Sequence, residues 1–156
     1  MHFLPRAGVG LLALILVSTA WAQAERSAQA ENMSQAERIS QADARAIRSV
    51  IDAQLAAFAA DDAEKAFSFA TRGIHSTFAT PENFIAMVKN TYPVVYRPAS
   101  VLFFDAESLG DETLQRVQMS DDAGGLWIAL YRMQRQTDGA WLIDGCVLAA
   151  VKGSRA

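Results

Sequence analysis

Three side chains have the chemistry of a general acid or base together with an unusual setting: Asp105, Asp144 and His75. Asp105 interrupts the apolar run Val101-Leu102-Phe103-Phe104, and Asp144 falls between Leu142-Ile143 and Gly145. A carboxylate buried in such a run holds its proton above the ordinary range and can act as a base. The competing reading puts each acid at a strand end in water, or paired with Arg97, Arg116 or Arg132. His75, in Ile74-His75-Ser76-Thr77-Phe78, also has two readings: proton transfer, or the surface or hydrogen-bonded imidazole that a lone His usually is. Tyr96-Arg97 is flanked by Pro93 and Pro98, which fix its backbone. Such a turn aims Arg97 either at an anionic ligand or at a helix C-terminus. Asp105, Asp144 and His75 are thus the candidate catalytic residues, and Tyr96, Arg97, Trp127 and Tyr131 the candidate ligand-binding residues.

The inventory around them is thin. The 156 residues are 51% hydrophobic and 20% charged, with net charge −3, two His and one Cys. One His is His2, in a segment read below as removable, which leaves His75 and Cys146. That rules out an HExxH site, a His-based metal triad, CxxC redox chemistry and a zinc ribbon. There is no Gly-rich phosphate loop, and acidic charge with scattered Arg argues against nucleic acid. No metal and no cofactor is expected. Cys146 lies among Ile143, Val147 and Leu148 and reads as a small buried apolar side chain; a reactive thiol would need an electropositive, partly exposed setting.

Residues 1–24 have the three parts of an export signal: Arg6 beside the N-terminal amine, an apolar run over 7–17, and the small-residue patterns Ala20-Trp21-Ala22 and Ala22-Gln23-Ala24. The run is shorter than the roughly 18–20 residues a spanning helix needs. The expectation is therefore an exported protein, periplasmic or secreted in a bacterium, that meets the membrane only during export. Cleavage removes Arg6 and no acid, which leaves a net charge of −4. Residues 25–43 follow as a low-complexity linker built on Gln-Ala-Glu copies at Gln29, Gln35 and Gln41-Ala42-Asp43. Six residues turn a helix by about 240°, so the repeat paints no single face. Too little apolar surface is available to offset the ordering entropy; a mobile lead-in or a partner-binding segment are the two readings.

A single domain over 44–156 must position the candidate residues. Ile47, Val50, Ile51, Gln54, Leu55 and Phe58 predict a helix over 44–60. Asp61 and Glu64 resemble a capping box for a second helix, ended by Thr71-Arg72-Gly73. Thr80-Pro81-Glu82 starts a third, which Pro93 stops. From Ala99 the period becomes two, and strands are expected over 101–107, 114–119, 126–135 and 140–151, with short Gly-containing turns between them. The fold class is α+β: three N-terminal helices packed on a four-stranded antiparallel sheet. In the last two strands both faces look apolar, with Trp141, Ile143, Val147 and Ala149 on one side of the fourth and Leu142, Cys146 and Leu148 on the other. A sheet covered on one side alternates apolar with polar, so the second face calls for a second subunit or a bound ligand. A homodimer through the sheet is the preferred expectation.

Several stretches carry a family resemblance: Gln54-Leu55-Ala56-Ala57-Phe58 with Asp61-Asp62, Tyr92-Pro93-Val94-Val95-Tyr96-Arg97-Pro98, and Asp138-Gly139-Ala140-Trp141-Leu142-Ile143-Asp144-Gly145-Cys146-Val147-Leu148. Over about residues 46–151 the chain resembles the bacterial family called domain of unknown function 4864. The resemblance implies a nuclear-transport-factor-two-like (or cystatin-like) cone, in which a curved sheet and three helices enclose a pocket. It carries no catalytic residue with it. The expected function is an exported, non-catalytic module that binds a small ligand or a partner. The alternative is an isomerase- or hydrolase-like enzyme with Asp105, Asp144 or His75 as base in the pocket.

Overall fold

Ser40 starts the first helix. Its backbone is extended (φ −62°, ψ 152°), and its Oγ accepts the Asp43 backbone N–H at 3.0 Å, which satisfies a donor the helix itself leaves open. From there α1 (Gln41–Ala59) buries Ile47, Ile51, Gln54, Leu55 and Phe58 along one face. The computed structural model describes Gln23 and residues 39–151. The export signal and most of the repeat segment therefore lie outside the described residues. The helix begins three residues earlier than periodicity alone predicts, because the last repeat copy, Gln41-Ala42-Asp43, forms its first turn.

The helix count is the main correction to the expected fold. Five helices, not three, stand among the described residues: α1, α2 (Ala63–Ser68), α3 (Arg72–Phe78), α4 (Pro81–Thr91) and α5 (Pro93–Tyr96). Asp62 rather than Asp61 caps α2, accepting the Lys65 N–H at 3.0 Å, while Asp61 takes the left-handed backbone (φ 57°) that ends the preceding turn. Thr71-Arg72-Gly73 does not end a helix but opens α3, for which Thr71 makes no side-chain cap. With no cap and no buried face, α3 gives a weak sequence signal. Thr80 and Pro81 start α4 as expected, with Thr80 Oγ1 accepting from Asn83 N. Pro93 stops α4 and, with its φ preset, also begins α5.

The sheet is an antiparallel meander in the order β1-β2-β3-β4, with β1 Ser100–Leu109, β2 Glu112–Ser120, β3 Leu126–Arg135 and β4 Trp141–Ala150. The fold class is α+β, as expected. Val117, Met119, Ala129, Tyr131, Met133, Trp141 and Ile143 are buried and join the helices in one core. β4 departs from simple alternation. Arg132 pairs with Gly145 and Met133 with Ile143, so Asp144 is the extra residue of a bulge. The bulge turns Cys146 and Leu148 back onto the core side with Trp141 and Ile143, and leaves Val147 67% exposed. Part of the two-sided apolar pattern in β4 is therefore a change of face within one strand. A second irregularity lies in β1 between Phe103 and Ala106.

Candidate functional site

The helices do not close completely on the sheet. A cavity of about 240 Å³ lies between them, lined by Gln54 and Phe58 of α1, Ala70, Ile74 and Phe78 around α3, and Phe84, Met87 and Val88 of α4. Tyr92 and Val95 continue the helical wall, and Tyr131, Ile143, Gly145 and Cys146 form the sheet wall. Ile74, Phe78, Met87 and Tyr92 are only half-buried and mark its mouth. The aromatic side is a cluster: Phe84 stands 5.5 Å from Phe78, 5.3 Å from Phe67 and 6.0 Å from Phe58, ring centre to ring centre.

The sheet wall holds the notable group. Tyr131 is 1% exposed, and its hydroxyl has no hydrogen-bond partner among the described residues. An unmade bond at a buried hydroxyl costs about 1–3 kcal/mol. Burial pushes the Tyr131 hydroxyl well above its ordinary pKa, and it pushes the Cys146 thiol up to about 12, so both stay protonated near neutrality. Gln54, 3% exposed, donates through Nε2 to the Ala66 carbonyl at 3.0 Å, which ties α1 to α2. Among the described lining residues there is no carboxylate, imidazole, ammonium or guanidinium. The wall is uncharged.

Of the candidate ligand-binding residues, Tyr131 alone lines this cavity. Tyr96 and Arg97 meet elsewhere: the Tyr96 hydroxyl donates to Asp61 Oδ1, Arg97 Nη2 donates to Asp61 Oδ2 at 2.8 Å, and Lys89 Nζ reaches Asp61 Oδ1 at 2.8 Å. Lys89, then the Tyr96 hydroxyl, draws the Asp61 carboxyl down to about 2. Arg97 is thus aimed at Asp61, in the turn after α1, and the three donors clamp the α1–α2 turn to α4 and α5. Trp127 gives its indole N–H to Asp121 Oδ2 at 3.0 Å in the β2–β3 turn.

The candidate bases are not lining residues of the cavity. Asp144 accepts the Thr71 hydroxyl at 2.7 Å and Arg132 Nε at 2.9 Å. Its bulge is also where the α2–α3 connection meets the sheet: Thr71 N donates to Ile143 O and Ile143 N to Phe69 O, each at 2.9 Å. Asp105 is exposed in the β1 irregularity. His75 lies within α3 and stacks on Phe67 with ring centres 4.0 Å apart. A carbonyl can only accept, so His75 Nε2–H donates to Phe67 O at 2.7 Å. The three are not brought together, and none lines the cavity.

Sequence reasoning did not mark Gln54, Phe84, Met87 or Cys146 as site residues. Gln54 had a signal, a polar side chain at a position where the helix period demands an apolar one. Cys146 was hidden by the bulge that changes its face.

No curated protein and no solved structure matches the chain. The pattern of one family, described as a domain of unknown function (DUF4864), matches residues 40–156. That span contains every helix, every strand and every cavity residue described above, and the chain belongs to that family.

Proposed function

We propose that the chain is an exported, non-catalytic binding module whose ligand site is the cavity between helices and sheet. The observation that carries this reading is the Tyr131 hydroxyl, buried without a partner on the wall of a cavity of about 240 Å³. A polar atom of a ligand would satisfy that hydroxyl while the apolar rest fills the space. The cone-like arrangement implied by the resemblance fits, since a cone places helices over one sheet face with a pocket between. The uncharged wall supports binding over acid–base chemistry, which needs a titrating group within reach of the substrate.

A second copy on the outer sheet face belongs to the same proposal. That face exposes Leu102, Phe104 and Val147, with Ile128 and Leu130 half-buried between them. Two arginines of that face are matched within the chain, Arg116 with Glu107 at 2.5 Å and Arg132 with Asp144 at 2.9 Å. A self-complementary two-fold contact then meets apolar surface and arginines already paired with acids.

Native mass spectrometry of the protein purified from its own host tests the ligand. The expected result is a mass above that of the chain which is lost on denaturation and identifies a small molecule. A bare chain mass throughout, with the cavity filled by side chains in a crystal structure, would end the proposal. The same spectra test export, since cleavage after residue 22 or 24 fixes the mass of the mature chain.

A further inference from the structure

On the reading of the cavity as a ligand site, we infer that its ligand is a neutral, flat aromatic molecule of one or two rings, carrying one hydroxyl or carbonyl oxygen that hydrogen-bonds the Tyr131 hydroxyl.

Four features of the cavity define that class. Size comes first: an apolar cavity of about 150 Å³ holds benzene, so about 240 Å³ admits a substituted or fused ring. Shape comes second, because Phe58, Phe78 and Phe84 present tilted rings at 5.5 to 6.0 Å spacing, against which another ring packs edge-to-face or offset. Charge comes third. An ionised ligand would give up its hydration against a wall with no counter-charge. Lys89 and Arg97 are committed to Asp61, and Arg132, beside Gly145, to Asp144. Polarity comes last: among the described residues the buried part of the wall offers one unpartnered hydroxyl, that of Tyr131, enough to select a single oxygen on the ligand and too little for a polyol or sugar. The other polar lining side chains are the Gln54 amide, whose Nε2 is already given to Ala66 O, the Cys146 thiol, and the Tyr92 hydroxyl of the half-buried mouth.

Naphthol, naphthalene and naphthoate separate these features, since they share one ring system and differ in the oxygen and the charge. Their binding to the full mature chain is measured by calorimetry and fluorescence, for the wild type and for Tyr131→Phe, with circular dichroism confirming that the variant is folded. The expected order in the wild type is naphthol about tenfold tighter than naphthalene, with naphthoate at least tenfold weaker than naphthol. In Tyr131→Phe the advantage of naphthol over naphthalene should fall to near onefold while naphthalene still binds. Met87→Trp, which fills the mouth at a half-buried position, should abolish binding of all three. If naphthoate binds tightest, or if Tyr131→Phe leaves the naphthol advantage intact, the ligand class is wrong while the cavity remains a site. If none of the three binds, or Met87→Trp changes nothing, the cavity reading falls with it.

Discussion

A buried hydroxyl without a partner makes Tyr131 unusual among the core residues, because its conservative replacement should improve the empty protein. Tyr131→Phe removes an unsatisfied group and keeps the ring, so the ligand-free domain should gain about 1 kcal/mol in urea unfolding. Gln54 predicts the opposite. Gln54→Leu strands the Ala66 carbonyl in the interior and should cost about 1–3 kcal/mol in the same assay. At Cys146, burial pushes the thiol up to about 12, so thiolate is scarce at pH 8. A disulfide reagent should leave the folded protein unmodified for hours and label it fully in guanidinium. Fast labelling of the native form would mean that Cys146 is open to solvent. Tyr131 was legible as a ligand candidate from its place on the apolar face of β3. Its missing partner was not, because that depends on every residue that packs around it.

The elements show where local signals suffice. Thr80-Pro81 fixes the start of α4 by cap and proline chemistry that acts within four residues. Ser40 acts in the same way, and Ser40→Ala should cost about 1 kcal/mol by thermal or urea unfolding. Ser40 also donates to Asp43 Oδ2 at 2.7 Å. Asp43 in turn accepts the Trp141 indole N–H at 3.0 Å, so this cap is tied to β4. The repeat pattern obscured it, since Asp43 stands where other copies carry Glu in a segment with no apolar face. α3 was missed for a different reason: it has no side-chain cap and no buried residue, and it is anchored at its start by Thr71 bonds to Ile143 and Asp144, more than seventy residues away. No local rule reports a partner at that distance. The β4 bulge belongs to the same class, because pairing with β3 decides where the extra residue falls.

For the whole molecule, charge pairing and the outer sheet face make the remaining expectations. Asp61 is held down to about 2 by Lys89 and the Tyr96 hydroxyl. Its contribution to stability is therefore present above the ordinary carboxylate pKa of about 4, and is lost as pH falls from there through about 2. Asp61→Asn, which keeps a side chain tolerant of the left-handed backbone at φ 57°, should lower the melting temperature at pH 7 and flatten its decline between about pH 4 and 2. An unchanged acid limb would remove Asp61 from the account. If the outer face is the dimer contact, sedimentation at micromolar concentration should show a dimer for the wild type and a monomer for Val147→Glu; a monomeric wild type would dismiss the contact. The sequence by itself determined the α+β class, the strand limits to within a few residues, the α4 start and the family, because periodicity, caps and turn glycines act over short stretches of chain. Only the tertiary structure decided which face of β4 carries Cys146, that Asp144 and Arg97 are tied up in ion pairs, and that a cavity lies beside Tyr131. Each of these depends on distant segments sharing one space, and how much of that space is left unfilled is a property of the packed whole.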